Sequence, residues 1–279
     1  MGTTIYPGPT NKQRDFTSSG TWTCPAGVYS ARFLVVGAGG GGGGAVVAVG
    51  NWGCGGGGGG GAVKEIDLSV TPGTSYTITI GAKGAGGAGT AGGNGGFSEV
   101  LNGATSLIKC YGGAGGSGIA TSTVVNSTVT QTLAGGGGGA RSGANDRWGG
   151  GGGGANPVVV GVSTNAGTVN TSGEGAPGRN FADTGANSAI TSTGGMGYNG
   201  YGAGGGGGGN YTGPLIVSAQ GGSALAGNGA TRTTAGVTNG TSAVANSGCG
   251  GGGSTAFNNV TSTTGGNGAD GLVRVVYFA

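Results

Sequence analysis

Apolar and polar residues alternate most regularly in the first third of the chain, where the pattern predicts β-strands. Residues 62–70 place Ile66, Leu68 and Val70 on one face and polar side chains on the other, and residues 76–80 repeat the alternation. Between them, the segment 71–74 reads Thr-Pro-Gly-Thr, which is typical of a type II turn. We therefore predict a β-hairpin here.

Four further segments have strand character. Residues 32–36 form a short apolar run that ends at the first glycine block, and residues 97–101 and 106–111 predict a second strand pair. The segment 271–279 is again rich in branched and aromatic residues. Because strand-forming segments lie at both ends of the sequence, we predict a sheet that joins them and closes the domain.

Glycine blocks separate these segments. The chain has 81 Gly among 279 residues, and only 11 Lys and Arg with 8 Asp and Glu. Since Gly costs about 1 kcal/mol per helical position relative to Ala, we expect essentially no α-helix. Stretches rich in Ser, Thr, Asn and Val alternate with the blocks. The solid blocks are 39–44, 55–61, 135–139, 149–154, 204–209 and 250–253, and looser ones are 84–96, 112–118 and 194–202.

Two structures are possible for the glycine blocks. Flexible linkers are one alternative, because Gly-rich segments behave as random coils. The other is polyglycine II, an extended helix with three residues per turn whose N–H and C=O groups bond laterally to neighbouring helices. The bracketing strands favour a mainly irregular, all-β fold: a bundle of packed polyglycine II helices with short strands. In such a bundle, Gly152 could not become Ala, because the Cβ would meet the next helix.

The composition argues against catalysis and against nucleic acid. The sequence has no His, which excludes Ser-His-Asp triads and His-ligated metals. Glu65 and Asp67 fit a solvated strand face better than a catalytic pair. Residues 37–42 match G-x-G-x-x-G, as any polyglycine does, but no helix is predicted after them. No Arg precedes Gly-Gly and the net charge is only +3, so we expect a non-enzyme without cofactor, metal or nucleic acid.

The four cysteines are too few for a disulfide scaffold. No signal peptide is visible in residues 1–15, so we expect free thiols. Cys54 and Cys249 each stand directly before a glycine block, which leaves a bridge between them as the alternative.

Aromatic residues between the glycine blocks are the candidate binding residues. They could pack over the edges of the bundle and shield it. Alternatively they could be exposed anchors, because recognition commonly uses loops on a rigid scaffold and aromatic side chains give large contact areas. The candidates for receptor binding are Trp52, Trp148, Phe181, Tyr198, Tyr201, Tyr211 and Phe257.

The order of several short motifs resembles glycine-rich tail proteins of bacteriophages. The resemblance covers residues 15–116 and 265–279. The alternation of glycine blocks with variable stretches in 117–264 is similar to the adhesin at the tip of the long tail fibres of T-even-like phages. The motifs are DFTSSGTWTCPAGV at 15–28, FLVVGAGG at 33–40, YTITIGA at 76–82, GGNGGFS at 92–98, GGAGG at 112–116 and GADGLVRV at 268–275.

This resemblance implies a sandwich of polyglycine II helices whose variable loops bind a bacterial outer-membrane protein or a surface glycan. It implies a virion protein of the phage tail, made in the host cytoplasm and acting at the bacterial surface. Residues 1–14 would be an attachment segment to a tail-fibre or baseplate protein, and 15–279 one glycine-rich domain. Within it, 15–116 and 265–279 would be a strand-containing frame, and 117–264 would be polyglycine blocks with variable loops. Only 14 residues precede the resemblance in this sequence, where the adhesin has a sizeable attachment domain, so we expect a homotrimeric fibre end as readily as a monomeric cap.

Two other functions stay open. The protein could be a purely structural tail component without receptor contact. It could also be an ice-binding polyglycine II protein, although irregular stretches that carry Trp148 and Tyr198 do not suit the flat face that ice binding needs.

Overall fold

Two kinds of structure make up the molecule: a frame of β-sheets and a lattice of extended glycine segments. The structure is a computed structural model that describes residues 10–46, 52–118, 152, 197–207, 209–210, 221–232, 237–257 and 262–279. Within these ranges there are thirteen strands and no α-helix, as the composition predicts.

One four-stranded sheet of the frame joins the two ends of the sequence. Strand β13 (Leu272–Phe278) lies antiparallel to β3 (Ser30–Val36). Strand β1 (Asn11–Phe16) flanks β13, and β5 (Val63–Ser69) flanks β3. The predicted sheet between the N-terminal third and the last residues is confirmed.

The second sheet of the frame is built from the N-terminal third alone. Its strand order is β2 (Gly20–Thr23), β6 (Ser75–Thr79), β7 (Ser98–Asn102) and β8 (Thr105–Cys110), with antiparallel neighbours. The pair β7 and β8 corresponds to the strand pair predicted at 97–101 and 106–111, and this prediction is confirmed.

The predicted hairpin of residues 62–80 is wrong, although its turn is present. Thr74 N donates to Thr71 O at 3.0 Å and Gly73 has φ of 78°, as a type II turn requires. However, β5 pairs with β3 and β6 pairs with β2 and β7, so the two strands belong to different sheets. The cause is the turn type, since a type II turn splays the strands that a hairpin turn would hold together.

Side chains fill the space between the two sheets. Trp22 lies at the centre, 5.6 Å from Phe33 and 5.5 Å from Tyr76 between ring centroids. Burial alternates along β3, where Ala31, Phe33 and Val35 face this core. The frame is therefore a conventional hydrophobic core of aromatic and branched residues.

The lattice is organised around one polyglycine II helix, residues 38–44, which we call the central helix. Its hydrogen bonds change direction with each residue and return every third residue. Gly39 N donates to Ala269 O at 2.8 Å, and Gly42 N donates to Gly266 O of the same neighbour at 2.8 Å. Residues 35–45 are all buried. This period of three is that of polyglycine II.

Six neighbours surround the central helix. It donates to three antiparallel segments and accepts from three parallel ones, because each turn directs three N–H and three C=O groups outward. The six are also bonded to one another in a closed ring, for example through Gly265 N to Gly87 O at 3.0 Å. The antiparallel segments are 265–269, 55–61 and 90–96, and the parallel segments are 84–87, 250–254 and 113–117.

Backbone contact this close requires glycine. A Cβ on Gly40 would overlap the carbonyl of Ala114, and a Cβ on Gly152 would overlap that of Gly58. Gly152 N donates to Gly205 O at 2.8 Å, so this residue is part of the lattice. The described parts of the solid blocks are therefore hydrogen-bonded lattice segments rather than linkers. Block 135–139 lies outside the described residues, as does block 149–154 except for Gly152.

Side chains in the lattice occur where a Cβ points outward. Along the edge helix 82–88, the exposed residues Ala82, Ala85 and Ala88 recur every third position, while Gly84 and Gly87 are buried. The next edge helix continues with exposed Ala91 and Asn94. Apart from Lys83, the side chains of this edge helix recur with a period of three, whereas the central helix is glycine throughout after Ala38.

The four cysteines are buried as thiols, so the alternative of a bridge between Cys54 and Cys249 is not realised. Burial raises the pKa of the Cys110 thiol to about 12.

Candidate functional site

The lattice has two different ends, which the central helix connects. At the frame end it follows Val36 of β3. At the other end it leads into Ala45 and the segments that cross between helices. We call this the loop end and define it by residues 45–46, 52–54, 88–90 and 254–257. With about 3.1 Å per residue, the two ends are roughly 20 Å apart.

Short strands and buried hydroxyl groups fix the loop end. A three-stranded sheet is formed by β4 (Trp52–Cys54), β12 (Thr255–Phe257) and β11 (Val237–Thr238). A parallel pair, β9 (Gly209–Asn210) and β10 (Thr231–Arg232), also lies here. Ala45 N donates to Thr263 Oγ1 at 2.8 Å, and Thr263 Oγ1 lies 2.6 Å from Ser254 Oγ. These bonds hold the crossing segments to the lattice.

The structure divides the candidate aromatic residues between the two ends. Trp52 and Phe257, which are 205 positions apart, stand directly opposite each other in the register of β4 and β12 at the loop end. Tyr198 and Tyr201 stand at the frame end, where they pack against the cluster of Val36, Val63 and Leu272. Trp148, Phe181 and Tyr211 lie outside the described residues.

Tyr198 and Tyr201 are the ends of a tight turn. Each donates its N–H to the carbonyl of the other at 2.9 Å, and Asn199 and Gly200 have φ of 48° and 86°. Two positive φ angles define a type I′ turn, for which Asn-Gly is the preferred pair. Both tyrosine side chains are half-buried. The Asn199-Gly200 dipeptide is the sequence signal from which the proximity of the two tyrosines could have been predicted.

Two arginines cross the face of the sheet beneath this turn. Arg32 donates through Nε and Nη2 to both carboxylate oxygens of Asp67, at 2.8 and 2.9 Å. Arg274 makes the same two-bonded contact with Asp15, at 2.8 Å for each bond. The arginine hydrogen bonds hold the pKa of both aspartates below the usual value. The predicted polar face of β5 is therefore exposed and ion-paired.

A cavity of about 200 Å³ lies between the turn and the sheet. It is lined by aliphatic residues of the sheet, which we call the floor, by the turn, whose two tyrosines we call the walls, and by charged residues, which we call the rim. The floor is Leu34 and Val276, the turn contributes Tyr198, Asn199 and Tyr201, and the rim is Arg32, Arg274 and Glu65. Tyr198 Oη donates to Glu65 Oε2 at 3.2 Å. Sequence reasoning missed the arginines and the floor residues, because the pocket unites four distant parts of the chain.

The described residues contain no group of three or more His, Cys, Asp or Glu side chains that could hold a metal ion. In the same part of the chain, no helix could span a lipid bilayer.

A polyglycine II lattice closed by a two-sheet frame defines the architectural class of this protein. The sequence profile of the glycine-rich domain family matches residues 15–278, almost the whole chain, so the protein belongs to this family. A search of curated proteins gives no significant match.

Proposed function

We propose that this glycine-rich protein is a non-enzymatic receptor-binding component of a bacteriophage tail, located at the tip or end of a tail fibre. One observation carries the proposal: a bonded lattice separates the described ends of the chain from the crossing segments of the loop end. Thr10 N donates to Ala279 O at 2.9 Å, so both ends of the described chain lie at the frame. A rigid scaffold with variable crossing segments is the usual basis of recognition surfaces.

The receptor surface in this proposal is the loop end. Whatever continues the chain before residue 10 or after residue 279 leaves from the frame, so attachment there directs the loop end outward. Trp52 and Phe257 are its candidate contacts, together with Trp148, Phe181 and Tyr211. The receptor is a bacterial outer-membrane protein or a surface glycan.

Attachment in this proposal uses the frame end. Residues 1–14 are the attachment segment in this proposal: residues 11–14 belong to β1 of the frame, and the residues before them join the domain to a tail-fibre or baseplate protein. The domain is then either a monomeric cap or a homotrimeric fibre end. The protein acts in the virion at the bacterial surface, after synthesis in the host cytoplasm.

Binding of labelled protein to a panel of Gram-negative cells tests the receptor surface. We expect Trp52→Ala, Trp148→Ala or Phe257→Ala to weaken binding by about five-fold to several-hundred-fold, as for hot-spot residues. Tyr29→Ala is the matched control, because Tyr29 is 71% exposed but lies in the frame, outside the proposed surface. Thermal unfolding of each variant distinguishes the loss of a receptor contact from the loss of the folded structure.

Equal binding by the wild-type protein and the three variants would show that the loop end is not the receptor surface. If the folded wild-type protein binds no cells of the panel, the alternative of a purely structural tail component is favoured. A thermal-hysteresis measurement on the same sample tests the ice-binding alternative.

A further inference from the structure

The cavity beneath the Tyr198–Tyr201 turn has the chemistry of a binding site. It lies on the outer face of the sheet β1-β13-β3-β5, at the opposite end of the lattice from the loop end. Its floor is aliphatic, because Leu34 and Val276 are close on the adjacent strands β3 and β13. Its volume of about 200 Å³ suits one small molecule rather than a polymer chain.

The rim offers both hydrogen-bond donors and acceptors. Arg32 uses Nε and Nη2 for Asp67, while its Nη1 lies 4.0 Å from Glu65 Oε1, which is longer than a hydrogen bond. This Nη1 can donate to a ligand, and the Glu65 carboxylate can accept from one.

Charges around the cavity nearly cancel. Arg32 and Arg274 bring two positive charges to the rim, and Glu65 brings one negative charge. The aspartates that bind the arginines, Asp67 and Asp15, add two more negative charges. A ligand with a full charge of either sign would gain little net attraction here, so the site favours an uncharged molecule rich in hydroxyl groups.

The aromatic walls are held in place before any ligand arrives. Behind the turn, the Gly200 carbonyl accepts hydrogen bonds from Ser223 Oγ at 3.1 Å and from Cys249 Sγ at 3.3 Å. A site held in its binding conformation loses less entropy on binding. Two aromatic side chains next to an aliphatic floor suit a ring that has C–H groups on its faces and hydroxyl groups around its edge.

We propose that this cavity binds a single uncharged sugar ring of the hexopyranose class. Arg32 and Glu65 bind ring hydroxyl groups as donor and acceptor, and Tyr198 and Tyr201 contact the C–H faces. The ring is either a free monosaccharide or the terminal unit of a longer glycan. This proposal concerns a different surface from the loop end and does not depend on receptor binding there.

Saturation-transfer NMR with methyl glycosides of glucose, galactose, mannose and N-acetylglucosamine tests the proposal on the full chain. We expect saturable binding of at least one glycoside in the millimolar range, and weaker binding of the methyl glycoside of glucuronic acid. Tyr198→Ala should weaken binding by about tenfold, as expected for a contact residue. Linear trisaccharides distinguish a free monosaccharide from the terminal unit of a glycan as the natural ligand. If the site binds terminal units, a trisaccharide should bind as well as the monosaccharide, and otherwise it should bind more weakly.

Tyr29→Ala is the control and should leave sugar binding unchanged, since Tyr29 is an exposed tyrosine outside the cavity. Tyr198→Phe and Glu65→Gln keep the shape of the site and should weaken binding while the melting temperature stays close to that of the wild type. The proposal is overturned if no neutral glycoside binds the folded protein, if the acid binds more tightly than the neutral sugars, or if Tyr29→Ala and Tyr198→Ala have equal effects.

Discussion

The frame and the lattice bury their interiors in opposite ways. In the frame, large side chains fill the interior: Trp22, Phe33 and Tyr76 are at most 1% exposed. In the lattice, the central helix is just as buried, yet every N–H from Gly39 to Gly44 is bonded to another backbone segment. The frame is therefore destabilised when a core side chain loses atoms, whereas the centre of the lattice is destabilised when a single carbon atom is added.

The largest expected effect is in the frame. Trp22→Ala removes the ring that contacts Phe33, Tyr76 and Tyr277, and should lower the free energy of unfolding by about 3–5 kcal/mol. Chemical denaturation measures the loss, and Trp22→Phe, which retains an aromatic ring, should lose less. A loss below about 1 kcal/mol would mean that the side-chain core is not what stabilises the frame.

In the lattice, Gly40→Ala adds one methyl group and should destabilise the fold by about 1–3 kcal/mol. The Cβ would overlap the Ala114 carbonyl and separate helices that are now hydrogen-bonded. In a flexible linker the same change would be neutral or stabilising by about 0.4–1 kcal/mol. The sign of the change in melting temperature therefore distinguishes lattice from linker, and Gly152→Ala gives an independent second reading.

Alkaline pH should destabilise the frame through Cys110. The folded-state pKa is raised to about 12, whereas an unfolded cysteine titrates near 8.5. Between these values only the unfolded chain loses the proton, so the stabilisation present below about pH 8.5 falls by up to about 1.4 kcal/mol per pH unit. Urea unfolding between pH 8 and 10 measures the slope. Cys110→Ala should make it shallower, and an unchanged slope would exclude this thiol as its source.

The smallest effect is expected at the edge of the lattice. Ala85 is exposed, so Ala85→Ser should change the free energy of unfolding by less than about 0.5 kcal/mol. Thermal unfolding measured beside Gly40→Ala gives the contrast between edge and centre. Similar losses for both substitutions would contradict the view that side chains are tolerated wherever the Cβ points outward.

The sequence predicted the lattice because composition and block structure are visible without three-dimensional information. It also contained a finer signal, since Ala82, Ala85 and Ala88 repeat at the period of polyglycine II and mark an edge helix. Which blocks become neighbours could not be predicted. Blocks made of glycine alone are identical in chemistry, and their pairing depends on where the frame places their ends.

Two turns show the limits of local patterns. The type II turn at Thr71–Thr74 was recognised, but the strands on either side belong to different sheets. The type I′ turn at Asn199-Gly200 was not recognised, because no alternating strands flank it, and the pocket beneath it depends on β3, β5 and β13. Turn residues determine the local backbone, whereas a site built from four distant segments depends on tertiary packing.

The closed ring around the central helix also constrains the timing of folding. The central helix is made early in synthesis, but two of its six neighbours, 250–254 and 265–269, come more than 200 residues later. Strand β13, an inner strand of its sheet, is made later still. Contacts of such sequence separation form slowly. In a nascent chain, the glycine segments therefore lack part of their lattice hydrogen bonds until residues 265–278 have left the ribosome. Only then can the ring around the central helix close.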